Sequence, residues 1–181
     1  MVNGFSYPEM PVITETGLEM MNWGLIPAWS KDDQIRKYTL NARAETIFEK
    51  PSFKNVISSK RCIIPATGYF EWQHTGKNKQ PYFISLKDQD AFSFAGVWDL
   101  WVNPHSRENF YTYSIITTEA NPLLAEIHNT KKRMPVVLPQ EIEFDWLNRN
   151  LSNEKIKDFF VPLGDEYFNV QKIDLNPGDY R

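Results

Sequence analysis

The sequence predicts an α+β fold: one compact domain with a mainly antiparallel β core and short peripheral helices. Three observations predict it. Segments rich in β-branched and aromatic residues follow one another over residues 10–29 and again over 61–120. Helical patterns are short and lie between or after these runs. Strand and helix never alternate as βαβ units, which points away from a doubly wound parallel sheet.

"MPVITE" (10–15) and "GLEMMNWGLIPAW" (17–29) read as strands parted by a turn, the second closed by Pro27. Ser30 is a candidate N-cap for a short helix over 30–38. "TLNARAET" (39–46) has no clear period and reads as a structured loop. Pro51 at a first-turn position predicts a second short helix over 50–59. "RCIIPATGYFEWQ" (61–73) is a long run of β formers, and 75–79 is a hairpin turn into a strand over 80–87. Further strands follow over 91–101 and 110–120, with a turn at 103–109. Asn121 and Pro122 form an N-cap and first-turn proline for a helix running to His128. Residues 139–150 and 153–163 read as amphipathic surface helices.

A chain of 181 residues fits one domain spanning 1–181 with a sizeable core, and its six Trp and twelve Phe make it rich in aromatics. No apolar run reaches membrane-spanning length, and "MVNGFSYPEM" lacks the order of a signal peptide. The single cysteine, Cys62, excludes an internal disulfide and suits a reducing cytoplasm. Cys62, His74 and His105 show no metal-ligand spacing, so no metal is expected. No Walker loop, GxGxxG or G-x-S-x-G occurs, and no cofactor is expected. The net charge of −3 gives no case for nucleic acid, but its distribution is uneven. Residues 31–61 and the "KKR" of 131–133 carry basic excesses, and 141–166 an acidic one. Such asymmetry permits an anionic ligand without requiring one.

Glu71 stands in "GYFEW" (68–72) among residues that favour a strand and a core. If 63–72 is one strand, Ile64, Ala66, Gly68, Phe70 and Trp72 share the core face. Glu71 then lies with Ile63, Pro65, Thr67 and Tyr69 on the more polar face, which is either solvent or a groove. Aromatic walls favour the neutral form of a carboxyl, which suits a general acid or base. His128 ends a predicted helix beside a basic run, as a dipole partner or a proton carrier. Asn41, Arg43 and Glu45 alternate in "NARAET", where Arg can grip a phosphate and Asn and Arg together anchor a polar ligand, or the side chains can simply tie the loop. Trp29 is a core residue or a stacking platform for a base.

The ordered series "WGLIPAW", "LNARAET", "RCIIPATGYFEW", "KQPYFISL", "FAGVWD", "YSIITTEAN" and "IHNTKKRMPVVL" closely resembles the SOS response-associated peptidase (SRAP) family, over about residues 20–140. The resemblance implies a curved β core and binding of single-stranded or gapped DNA carrying abasic sites. It also implies covalent capture of the opened sugar by an amino-terminal cysteine, whose amine and thiol close a thiazolidine. Asn41 matches the family's active-site asparagine, Glu71 its acid–base glutamate, and His128 the histidine beside the sugar. Arg43 and Arg133 match basic residues on phosphates, Trp29 an aromatic near the DNA, and Thr117 a strand end facing the site. A cytoplasmic, nucleoid-associated monomer is expected.

The chain departs from the family at its start, which reads "MVNGFSYPEMPV" where the family begins Met-Cys-Gly-Arg. The amino-terminal segment with the nucleophile is missing from these residues. Cys62 cannot replace it, since a thiazolidine needs amine and thiol on one residue, and Met1 or Val2 offers only an amine. A truncated chain is the favoured reading, with a degenerate paralogue as the alternative. A non-catalytic single-stranded DNA-binding relic is the rival function, and a peptidase or sugar hydrolase using Glu71 ranks last.

Overall fold

The computed structural model describes residues 2–174 and is built mainly of strands. In chain order these are β1 (Glu9–Thr14), β2 (Gly17–Trp23), β3 (Asn41–Arg43), β4 (Arg61–Ala66), β5 (Tyr69–Thr75) and β6 (Asn78–Leu86). There follow β7 (Phe92–Val102), β8 (Asn109–Glu119), helix α1 (Pro122–Ile127), β9 (Arg133–Pro135), β10 (Val137–Leu138), helix α2 (Asn153–Asp158) and β11 (Phe168–Lys172). Met1 and the terminal segment 175–181, which the sequence reading also touched, lie outside the described residues.

The β core is a closed ring. β7 pairs with β4, β4 with β1, β1 with β2, β2 with β8, and β8 returns to β7. All these pairings are antiparallel except β2 with β8. Closure leaves few free edges and curves the sheet, in line with the α+β expectation. β3 and β9 extend the ring along β8, and β10 along β7. A separate three-stranded sheet, β11–β6–β5, covers one side.

β4 shows why its sequence is continuously apolar: both of its faces are buried. Ile63 joins a cluster with Ala95, Val97, Ile57 and Trp146. Cys62 and Ile64 join another with Phe94, Ile84, Leu124 and Phe168, beneath the small sheet and α1. Arg61 is 4% exposed and is accommodated by three carbonyls, those of Ile57, Trp146 and Asn148, at 2.6–2.7 Å.

Residues 61–73 are not one strand. The chain breaks at Thr67 and Gly68, leaving β4 in the ring and β5 in the small sheet. Gly68 permits the close approach, since a Cβ there would lie 2.3 Å from Phe83 Cζ and 2.8 Å from the Ile84 carbonyl oxygen. The face assignment changes with the break. In β5, Tyr69 pairs with buried Ile84 and meets Phe94 edge-on at 5.7 Å. Glu71 shares the Tyr69 face and therefore turns toward the body, while Phe70 packs on Phe83 on the other face.

Other expectations shift for local reasons. β2 ends at Trp23, before Gly24, whose φ of 106° breaks the strand. "NARAET" contains β3, parallel to β8; three residues with only Ala42 buried are too short to show a period. The helix expected over 30–38 is a 3₁₀ turn at Gln34–Tyr38. Residues 46–60 form successive turns that bury Phe53, Val56 and Ile57. The surface helix expected over 139–150 is a short 3₁₀ segment, Glu143–Leu147, whose Trp146 is fully buried. Trp146 donates from Nε1 to the Cys62 and Gly96 carbonyls.

Candidate functional site

Glu71 reaches the site from β5, and His128 from the end of α1. That helix starts as its sequence suggests: the Asn121 side chain accepts from the Leu124 amide, and Pro122 occupies the first turn. It stops at His128, whose amide donates to the Leu124 carbonyl at 2.8 Å. His128 Nδ1 lies 3.4 Å from Glu71 Oε2 and 2.9 Å from the Arg133 carbonyl oxygen. A carbonyl only accepts, so the neutral imidazole carries its proton on Nδ1 and keeps Nε2 as its basic atom. Glu71 Oε1 accepts from the Trp72 amide at 2.9 Å. Both side chains keep about a fifth of their surface exposed, 21% for His128 and 23% for Glu71. The pair can therefore hold a proton at Nε2 while the carboxylate stabilises the imidazolium.

Residues beside the pair clamp its two elements together. The Asn129 carboxamide accepts from the His74 amide at 3.0 Å and donates to the His74 carbonyl at 2.8 Å. It thus satisfies the β5 edge as a neighbouring strand would. Gln73 Nε2 donates to the Glu126 carbonyl at 2.9 Å, and its oxygen accepts from the Tyr82 hydroxyl at 3.2 Å. Tyr69 Oη is buried, with no hydrogen-bond partner among the described residues. Burial, with the Glu71 charge nearby, pushes its phenol well up, so it remains protonated.

Arg43 and Thr117 are register partners on β3 and β8, and Asn41 lies two residues before Arg43 on the same exposed face. Arg133, opening β9, bridges this region. Its Nη2 donates to the Thr117 carbonyl at 2.6 Å and to Thr117 Oγ1 at 3.3 Å, and its Nη1 to Glu45 Oε1 at 2.6 Å. The side chain is 13% exposed. Partial burial raises the Glu45 carboxyl, but the Arg133 hydrogen bond and the Arg133 and Arg43 charges outweigh it and hold Glu45 below its usual value. Next to this bridge is a groove of about 430 Å³ lined by Arg43, Lys131, Lys132 and Arg133, with Glu119 its one acid.

Glu71 thus approaches His128, and hydrogen bonds link His128 to Arg133 and Arg133 to Thr117, with Arg43 beside Thr117. Asn41 joins them through the β3 backbone. Trp29 lies apart: it is 55% exposed, donates from Nε1 to the Pro51 carbonyl, and lines a second cleft of about 260 Å³ with Lys60 and Asp99. Cys62 is fully buried, and burial drives its thiol pKa strongly up. Among the described residues, no group of three or more His, Cys, Asp and Glu could hold a metal ion. No described helix is long and apolar enough to cross a membrane.

Gln73 and Asn129 were not singled out by the sequence, and Glu45 was marked only by its alternation with Asn41 and Arg43. Asn129, directly after the helix-ending histidine, carried the one usable signal, since such a side chain readily bonds to nearby backbone.

A family model described as SOS response associated peptidase (SRAP) matches residues 6–176. The abasic site processing protein YoqW of Bacillus subtilis is 44% identical over 147 residues, covering 80% of this chain and 64% of that protein. The abasic site processing protein HMCES of Gallus gallus is 35% identical over 158 residues, covering 75% of this chain and 46% of that one. The chain therefore spans less than two thirds of the length of these relatives. A crystal structure of a Bacteroides thetaiotaomicron protein superposes with a TM-score of 0.93 at 49% identity, covering 96% of this chain and 77% of that one.

Proposed function

The chain belongs to the SOS response-associated peptidase family, and on that premise we propose that it binds single-stranded DNA at abasic sites and handles the protons of the damaged sugar. The observation that carries this reading is the 3.4 Å approach of His128 Nδ1 to Glu71 Oε2, with His128 fixed by the Arg133 carbonyl. Relatives named for abasic site processing support the choice of substrate.

An abasic sugar is a cyclic hemiacetal at C1′. Opening it removes the proton of the 1′-hydroxyl and delivers a proton to the ring oxygen, leaving an aldehyde at C1′. Condensation of that aldehyde with an amine then expels water and needs a proton donor for the departing hydroxyl. Glu71 and His128 divide these transfers: His128 takes or gives a proton at Nε2, and Glu71 stabilises the imidazolium or exchanges a proton itself. Asn41 positions the sugar, and Arg43, Thr117 and Arg133 form the side that meets the phosphates. Trp29 stacks on a base farther along the strand. The protein acts as a monomer in the cytoplasm, at the nucleoid when bound to DNA.

A non-catalytic binding module is the second reading, favoured by the basic groove alone. A glycosidase-like hydrolase finds no support in the geometry, because the partner of Glu71 is a histidine and not a second carboxylate. Fluorescence anisotropy with matched oligonucleotides tests the binding claim. Abasic single strands are expected to bind more tightly than intact strands of equal length. Equal affinity for both would contradict abasic recognition. Because the one cysteine of these 181 residues is buried, this chain is expected to leave no heat-stable band with abasic DNA on a denaturing gel.

A further inference from the structure

We propose that Tyr69 and Glu71 hold one water molecule between them, and that Tyr69 is thereby a positioning residue of the proton-handling pair. This inference rests on the abasic-site reading above and adds a side chain to it. Tyr69 and Glu71 stand two residues apart on one face of β5, roughly 7 Å from Cα to Cα. Gln73 and Glu71 show that this face is turned toward α1, since they meet Glu126 and His128. The Tyr69 ring has little freedom: it meets Phe94 edge-on at 5.7 Å and packs against an apolar cluster that includes Ile84, Leu124, Ile127 and Met134. Its Oη is buried and has no hydrogen-bond partner among the described residues. Packing alone needs no hydroxyl there, and a buried one left unmatched costs free energy. The neighbouring phenol differs, because Tyr82, opposite Glu71 on β6, donates to Gln73 Oε1 at 3.2 Å.

Glu71 has the complementary deficit. Its Oε1 accepts from the Trp72 amide at 2.9 Å. The donor that approaches Oε2 is His128 Nδ1 at 3.4 Å, and that proton is directed to the Arg133 carbonyl oxygen at 2.9 Å. A donor without an acceptor and an acceptor short of a donor thus lie on one strand face. Burial and the Glu71 charge keep the phenol protonated, so its proton is there to be shared. A water that accepts from Tyr69 Oη and donates to Glu71 Oε2 matches both groups. It holds the carboxylate with Oε2 facing the imidazole, the orientation in which Glu71 stabilises the imidazolium.

A double-mutant cycle on stability tests the contact without DNA. Tyr69→Phe keeps the ring and its packing, and in the wild-type background it should lower the folding equilibrium constant by about tenfold. In Glu71→Ala, which removes the acceptor, the same change should cost nothing. Equal effects in the two backgrounds, or a gain in stability in the wild-type background, would overturn the assignment, because an orphaned hydroxyl is better removed. The positioning role is read separately. Cysteamine, a small aminothiol, captures the abasic aldehyde as a thiazolidine. Relative to the acceleration of that capture by the wild-type chain, Tyr69→Phe should lose about tenfold at unchanged DNA affinity. Full acceleration in Tyr69→Phe would overturn the positioning role. No acceleration by the wild type, with the stability cycle still coupled, would instead remove the abasic reading and leave the water-bridged contact standing.

Discussion

Glu71 and His128 sit 3.4 Å apart although β5 belongs to the small sheet and α1 packs beside the ring. β5 and α1 must dock for the pair to exist. Leu124 and Ile127 of α1 pack in one apolar cluster with Tyr69 of β5, and hydrogen bonds through Gln73 and Asn129 set the register, so the pair is sensitive to residues that touch no substrate.

Asn129 is the first such residue. Asn129→Ala removes both bonds to His74 and leaves the β5 edge to water. Stability should fall by about 1 kcal/mol, the usual size for exposed hydrogen bonds. The rate at which added cysteamine, an aminothiol, captures the abasic aldehyde on the protein should fall much more than DNA affinity, and Asn129→Gln should restore neither bond pair in register. Anisotropy and a rate assay on the same preparation check this. Equal loss in both would point to a general folding defect.

Gly68 sets the break between β4 and β5. Gly68→Ala would push a methyl into the Phe83 ring and the Ile84 carbonyl, with contacts of 2.3 and 2.8 Å. We expect destabilisation of about 2–3 kcal/mol by urea unfolding, typical of an overpacked site. A loss within error of zero would mean that the β5–β6 hairpin can shift freely.

Glu45 gives the site a pH-dependent element. Its carboxyl, ordinarily near 4.5, is lowered in the folded protein. A lowered folded value means stability that is fully present above the unfolded value and is lost as pH falls through the folded one. The melting-temperature gap between wild type and Glu45→Gln should hold steady at neutral pH and close as pH drops below 4.5. Glu45 is 42% exposed, so the gap is small.

Cys62 should be chemically silent. Its thiol is buried and its ionisation strongly disfavoured by burial. A disulfide reagent should label it only on unfolding, at a rate that follows denaturant concentration. Rapid labelling of the native protein would contradict the packing of β4.

Much of this architecture was legible in the sequence, and particular residues show where legibility ended. Asn121 and Pro122 announced α1 because capping is a local matter. Glu71 and His128 were nameable as chemistry, but their meeting depends on how the small sheet docks. The break at Gly68 was hidden because "RCIIPATGYFEWQ" is apolar on both sides of it, as both strands pack against cores. Trp146 was hidden by its acidic neighbours Glu143 and Asp145, which stay at the rim while the indole turns inward. The bridge from Arg133 to Glu45 and Thr117 was hidden because no spacing relates these residues, which meet through strand pairing.

The most direct measurement supplies the nucleophile from outside. Cysteamine carries amine and thiol on one small molecule and closes a thiazolidine with an abasic aldehyde. Its rate of capture on an abasic single strand can be followed by mass shift with and without saturating protein. The wild-type chain is expected to accelerate capture, and Glu71→Gln to lose about 10²-fold of that acceleration while binding the DNA as before. Acceleration that survives intact in Glu71→Gln, or no acceleration by the wild type despite tight binding, would contradict the assignment of Glu71 and His128 as the proton-handling pair.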